Sequence, residues 1–395
     1  MRMMRTRWLL LAVLTTAGLG SWFYLTYFAA PGHALDRAES FLFRRMTVGQ
    51  LGEKGTYRFF FATNRNEGAA GAPLEERFGN TREPTLTFGS FDTRIEPSLG
   101  LGMLINPTQW FQDEEIQIEA VRRLERADFV AKLKEIVERS PRQSLLLLVH
   151  GFRERFPSAL RKTAFVGHVL DINSPVLLFD WPGDQGSSPR GYLRARETAT
   201  ASGAELAATI EMVVDEIGPE RLWVVANSMG AQVVADAFHL LYQDPAFADR
   251  DTEIEDVVLT APDVGHDEFE EQFKDEILAL TDALTVYVSS NDRALVLSRI
   301  INRSTRRGES TLSPDQLAEA LRIAELVEVD DDLITLVDVT PVNRTRNFHS
   351  FSLEMPEFFD DLYLRLTNEE APDSRLLYQL QTSDGDVYWV LTRGR

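Results

Sequence analysis

Five consecutive apolar residues, Leu145-Leu146-Leu147-Leu148-Val149, restrict the fold more than any other stretch of the chain. A strand with one wet face alternates apolar and polar side chains. An unbroken apolar run is the pattern of a strand covered on both faces, as in a parallel sheet flanked by helices. Comparable runs return at Pro175–Asp180, Arg221–Asn227, Val257–Ala261, Leu284–Val288 and Leu333–Val339. Segments with helical spacing lie between them, at 157–170, 195–217, 231–238, 269–280 and 294–301. Strands alternating with helices predict a doubly wound, mostly parallel α/β sheet. Right-handed crossovers then place the loops after the strand C-termini along one edge, where such sheets bind ligands.

Upstream, Tyr57–Ala62 reads as a short aromatic strand, Thr63–Asn66 as a turn and 67–84 as a loop rich in Gly, Pro, Glu and Asn. Leu86–Ile95 reads as a further strand. Glu115–Leu124 is ambiguous, and Asp128 is expected to cap a helix running to Arg139. Ser350–Leu366 is helical, with Pro356 kinking or dividing it. Leu376–Gln381 and Val387–Leu391 flank Asp384-Gly385 and predict a β-hairpin that adds an edge to the sheet or packs on its surface.

The stretch Ala226-Asn227-Ser228-Met229-Gly230 joins an apolar run to a helical one. Strand, tight small-residue turn and helix form the context of a nucleophile elbow. The serine backbone there is strained, and small residues two before and two after it keep neighbours from colliding. Here those residues are Ala226 and Gly230. A serine hydroxyl attacks a carbonyl only when a base takes its proton, so the rest of the chain must supply a histidine, an acid and two oxyanion donors. In elbow-bearing sheets the chain order is serine, acid, histidine. Of six histidines, His33, His150 and His168 precede Ser228, His239 falls inside the following helix, and His266 crowds Asp263. Elimination leaves His349 as the base. Asp292 follows the strand after next from the elbow; Asp263 follows the intervening strand and is the alternative acid. The oxyanion donors are expected to be the N–H groups of Met229, directly after the serine, and Phe152, in the His150-Gly151-Phe152 exit of the Leu145–Val149 strand.

The N-terminus carries a different signal. Arg2, Arg5 and Arg7 precede an uncharged stretch from Trp8 to Ala30, long enough to cross a bilayer, which takes about 20 residues. Trp22, Phe23, Tyr24, Tyr27 and Phe28 gather at its far end, where aromatic rings favour the membrane interface. Residues 1–30 are therefore expected to be a single-pass inner-membrane anchor. The arginines stay on the cytoplasmic side, sending the rest to the periplasmic or extracytoplasmic side. The expected organisation is anchor 1–30, juxtamembrane linker 31–55, catalytic α/β domain 56–370 and hairpin extension 371–395. With 41 basic and 61 acidic residues the formal charge is −20, which repels nucleic acid. The absence of cysteine excludes disulfides, thiolate metal sites and cysteine nucleophiles. There is no zinc-binding His-Glu-x-x-His sequence and no glycine-rich phosphate loop, so no cofactor or metal is expected.

Six stretches resemble, in order and spacing, the bacterial α/β-hydrolase family catalogued as domain of unknown function nine hundred. They are Phe61-Ala62-Thr63-Asn64-Arg65, Val149-His150-Gly151-Phe152, Phe179-Asp180-Trp181-Pro182, Ala226–Gly230, Ala261-Pro262-Asp263 and Tyr287–Leu295. The resemblance implies an α/β-hydrolase fold with serine esterase- or lipase-like chemistry on a small-molecule or lipid-like ester. Asn227 departs from the family, which more often has histidine there. That departure leaves the triad intact and alters what stands beside it. The alternative expectation is a non-catalytic envelope protein that uses the same fold for binding.

Overall fold

The computed structural model describes residues 48–52, 55–95, 116–170, 172–250, 254–265, 269, 273–289, 334–343, 351–367, 377–381 and 387–392. The expected anchor (1–30), the 294–301 helix, Asp292 and His349 lie outside these residues. Among the described residues no helix is long and apolar enough to cross a membrane.

Among the described residues eleven strands form one sheet. The first three make an antiparallel meander: β1 (Thr56–Glu67), β2 (Phe78–Ile95) and β3 (Ile116–Leu124). Helix α1 (Arg126–Arg139) leads to β4 (Ser144–Val149), α2 (Phe156–Leu170) to β5 (Val176–Asp180), and α3 (Pro189–Met212) to β6 (Arg221–Asn227). Then come α4 (Gly230–Gln243), β7 (Ile254–Thr260), β8 (Thr281–Val288) and β9 (Ile334–Asp338). Helices α5 (Phe351–Glu354) and α6 (Pro356–Thr367) precede β10 (Leu377–Gln381) and β11 (Val387–Leu391). Across the sheet the order is β10-β11-β9-β8-β7-β6-β4-β5-β1-β2-β3. Strands β1, β5, β4, β6, β7, β8, β9 and β11 run parallel to their neighbours in that series.

The core confirms why β4 reads as it does. Leu145 and Leu147 join the apolar cluster beneath α1, α3 and α4, while Leu146 and Leu148 join the cluster on the other face beneath α2 and α6. Helix α6 belongs to that second layer through Phe358, Phe359, Leu362 and Leu366, all buried. Its Asp361 accepts a bond from Tyr287 Oη at 2.6 Å. Met355 separates α5 from α6, and Pro356 opens α6, so the segment divides at the proline. The hairpin adds an edge, because β11 pairs in parallel with β9.

Four expectations need correcting. Thr63–Asn66 is not a turn but the end of β1, and the expected loop 67–84 is shorter, because 78–84 already belong to β2. The polar side chains that read as a turn are paired there across two register shifts, Arg65 opposite Arg82 and Glu67 opposite Phe78. The cap of α1 is Glu125, and Asp128 stands in its first turn, where a carboxylate suits the helix dipole. Helix α3 begins at Pro189 rather than 195. Ser188 caps it, its side chain accepting from Gly191 N, and proline occupies the first turn.

Strand order also fixes where a site can lie. From β4 the chain moves to β5 on one side and then crosses to β6 on the other. The C-terminal ends of β4 and β6 therefore flank the point where the winding reverses, which is the ligand-binding crevice of such sheets.

Candidate active site

Strand β6 ends at Asn227, and Ser228 takes a left-handed backbone with φ +53°. That conformation is unfavourable for a side chain with a Cβ and persists only where its surroundings hold it. Three hydrogen bonds do so. Ser228 N donates to Thr260 O (2.9 Å), and Ser228 O accepts from Ala231 N (3.0 Å) and Asp263 N (3.1 Å). The turn brings α4 in at Gly230, against the exit of β4. A Cβ on Gly230 would stand 2.6 Å from His150 O, and one on Gly151 would stand 2.9 Å from Ser228 Cβ. Each glycine fills the space beside the other's loop, so the elbow and the β4 exit interlock.

Met229 is the N-cap of α4. The leading N–H groups of a helix have no intrahelical acceptor and point where negative charge is stabilised. Phe152 follows Gly151 in the adjoining loop. Its ring meets Tyr192 edge-on, with centroids 5.7 Å apart. The hydroxyl of Tyr192 donates to the Asp263 carboxylate, 3.0 Å from each oxygen. The structure thus brings Ser228, Met229, Phe152 and Asp263 to one corner of the sheet. Asp292 and His349 lie outside the described residues. Strand β9, which precedes His349, is the direct neighbour of β8, which precedes Asp292.

His150 points into the protein. Its Nδ1 is 2.9 Å from Gly151 O, and its Nε2 lies 3.1 Å from Asp180 Oδ1 and 3.2 Å from Trp181 N. Trp181 stacks on the ring and donates its indole N–H to His150 O. Asp180 also receives Thr63 Oγ1 (2.8 Å) and Arg65 Nε (2.7 Å). Both the Arg65 and Asp180 side chains are wholly buried. Burial would push the Asp180 carboxyl up, but the Arg65 guanidinium and the His150 contact outweigh it and hold the group below its ordinary range. The rest of Arg65 bonds Gly79 O, Asn80 Oδ1 and Glu154 O. One guanidinium therefore ties β1, β2, β5 and the loop carrying Phe152 together.

Sequence reasoning gave no part to Tyr192, Thr63, Arg65 or Asp180. Tyr192 was hidden by the late start assigned to α3, although Ser188-Pro189 is a helix-start signal. The others stood in the quoted family stretches, but without a role. Among the described residues no group of three His, Asp or Glu side chains is placed to hold a metal.

An α/β sheet with a serine elbow at its switch point defines the α/β-hydrolase class. The family described as "Alpha/beta hydrolase of unknown function (DUF900)" matches residues 125–362, more than half of the chain, and the protein belongs to it. No curated protein matches the sequence. Among solved structures, a cold-adapted esterase from an Arctic intertidal metagenomic library is similar in its polyethylene glycol-bound form, with 14% identity and a TM-score of 0.34, covering 73% of this chain and 87% of that one. Its zinc-bound form gives 13% identity and a TM-score of 0.34, covering 74% of this chain and 86% of that one.

The buried ion pair generates a stability prediction. Replacing Arg65 by Met leaves the Asp180 carboxylate buried without its charge partner, a loss of about 3–5 kcal/mol by denaturant unfolding at neutral pH. A folded-state carboxyl pKa that is depressed contributes stability above its unfolded value, about 3.9 for Asp. That contribution disappears as pH falls through the folded pKa. The gap between wild type and Arg65→Met should therefore narrow on acidification below about pH 4. A pH-independent gap would show that Asp180 does not carry it.

Proposed function

We propose that this protein is a membrane-anchored serine hydrolase that cleaves an ester-like bond through an acyl-enzyme. Ser228 Oγ attacks the carbonyl carbon while His349 accepts its proton. The N–H groups of Met229 and Phe152 receive the charge that develops on the carbonyl oxygen. His349 then protonates the leaving alcohol, and water, activated by the same imidazole, releases the acid. Asp292 holds the imidazole in the required tautomer. The observation that carries this reading is the left-handed Ser228, pinned between Gly151 and Gly230 where the winding reverses.

The assignment of the base is supported by the occupied ring of His150, whose two nitrogens are spent on Gly151 O, Asp180 and Trp181 N. Membership of the family supports hydrolysis in general. Anchoring rests on the arginines and apolar stretch of residues 1–30. The charge of −20 favours neutral over anionic esters.

Fluorophosphonate labelling of the purified protein tests the reading. Wild type should label at Ser228 and hydrolyse short p-nitrophenyl esters. Ser228→Ala should lose both, with kcat down about 10⁴-fold or more and the melting temperature kept. His349→Gln should be almost inactive, and wild-type kcat should rise with pH as an imidazole deprotonates, reference pKa about 6.5. Full activity in Ser228→Ala removes the elbow assignment.

Strand adjacency favours Asp292 as the acid, since β9 delivers the His349 segment beside β8. Asp263 follows β7, one strand nearer the elbow, and its two oxygens receive the Tyr192 hydroxyl. Asp292→Asn is expected to lower kcat by orders of magnitude, leaving a residual rate, and Asp263→Asn by much less. The reverse ranking, at equal thermal stability, transfers the role to Asp263.

For the anchor, a C-terminal alkaline phosphatase fusion should be active and a green fluorescent fusion dark when sent through the general secretion route. The opposite pair of results puts the domain in the cytoplasm.

A further inference from the structure

Asn227 immediately precedes the candidate nucleophile, and its side chain leaves the elbow. The amide nitrogen lies 2.9 Å from Ser352 Oγ, 3.0 Å from Thr260 Oγ1 and 3.4 Å from Thr260 O. The orientation of the amide follows from its partners. A backbone carbonyl only accepts, and the Thr260 hydroxyl gives its own proton to Ala226 O at 3.3 Å. Both groups on Thr260 therefore require a donor, and the nitrogen end of Asn227 supplies it. The second amide proton goes to Ser352 Oγ.

Thr260 is fully buried and Ser352 nearly so. Ser352 stands in α5, whose first residue, Phe351, is buried and packs edge-on against Phe358 with centroids 5.8 Å apart. The start of α5 is thus held twice, by an apolar anchor in the core and by one hydrogen bond to the elbow. His349 is three residues before Ser352. An extended chain gains at most about 3.3–3.6 Å per residue, so three residues give little slack and whatever holds Ser352 restricts the reach of the chain before it. A bond from Ser352 to the residue next to Ser228 limits where the imidazole can stand relative to the hydroxyl it must deprotonate.

We propose that Asn227 is a positioning residue: its amide fastens Ser352 to the elbow and so sets the His349 segment against Ser228. This rests on the serine-hydrolase reading above. An asparagine can serve two acceptors with one nitrogen, whereas a neutral imidazole has a single N–H to donate.

The test uses the full-length protein and compares wild type, Asn227→Ala, Ser352→Ala, the double variant and Ser352→Thr. Fluorophosphonate labelling rate, kcat and KM are measured across pH, with melting temperature alongside. Misplacement of a catalytic group by about 1 Å can cost 10²-fold. Each alanine variant is therefore expected to lower kcat and labelling rate about 10- to 100-fold with KM little changed. The double variant should be no slower than the slower single one, because both remove the same bond. Ser352→Thr, which keeps the hydroxyl, should retain most activity. If Asn227→Ala does not fold, Ser352→Ala removes the other end of the same bond and carries the comparison. A lower melting temperature with kcat and labelling rate unchanged makes the bond structural and overturns the proposal, as do fully additive losses. A wild type that neither labels nor turns over defeats the serine-hydrolase reading and the positioning role with it. An active wild type with equally active alanine variants defeats the positioning role alone.

Discussion

The buried pair of Arg65 and Asp180 is the interaction on which the corner around the elbow depends. Moving either ion into a dry interior costs of order 20 kcal/mol in the ideal limit and several kcal/mol after relaxation. Such a cost is offset only when the partner charge and the remaining donors and acceptors are all met. Here Arg65 makes bonds to Asp180, Gly79, Asn80 and Glu154, and Asp180 also receives Thr63 and contacts His150. The partners come from β1, β2, the end of β5 and the exit of β4. An interaction this demanding has few geometries that satisfy it. It therefore fixes the loop of His150, Gly151 and Phe152 more tightly than apolar packing alone would.

That rigidity matters because the elbow has little room. A left-handed non-glycine residue costs about 1–3 kcal/mol, and Ser228 is one. Each of its three backbone bonds contributes about 0.5–1.5 kcal/mol, so together they are of the size needed to hold it. Two of those bonds come from the β7 side, from Thr260 O and Asp263 N. Ala261, between them, is itself left-handed with φ +45° and donates to Tyr287 O on β8 at 2.9 Å. Strain at the serine is thus shared along the sheet edge, strand by strand. The Gly151 and Gly230 contacts then leave no space for the β4 exit to drift away.

Much of this was legible in the chain. The apolar runs located β4 to β9 because strands covered on both faces have no polar alternation to obscure them. The elbow was legible because its small residues answer a steric demand that few other turns impose. The far half of the β1–β2 ribbon was not, since Thr63, Asn64 and Arg65 are turn-like in composition and owe their strand to partners far along the chain. Asn64 bonds Ser202 and Glu205 in α3, and Arg82 bonds the same Glu205. No window of local sequence contains both ends of those bonds. Tyr192 was missed for a similar reason: its place beside Phe152 depends on where α3 begins and how α3 crosses the sheet.

Asp263 shows how one side chain's position can be explained without assigning it the proton chemistry. Its N–H supports the Ser228 carbonyl, while its carboxylate takes the Tyr192 hydroxyl, and Tyr192 braces the ring of Phe152. The residue therefore links the elbow to the neighbouring loop through one backbone and one side-chain contact. A triad acid has a different requirement, a free lone pair facing the outer nitrogen of the base. Each oxygen of an ionised carboxylate accepts two bonds, so a contact with a phenol does not by itself decide the role of an aspartate. What separates the two aspartates is the order of the strands that precede them. His349 follows β9, and β9 lies against β8 rather than β7. The strand that precedes position 292 is one step from β9 and the strand that precedes Asp263 is two, while the contacts of Asp263 account for its place as a brace between the elbow and the neighbouring loop.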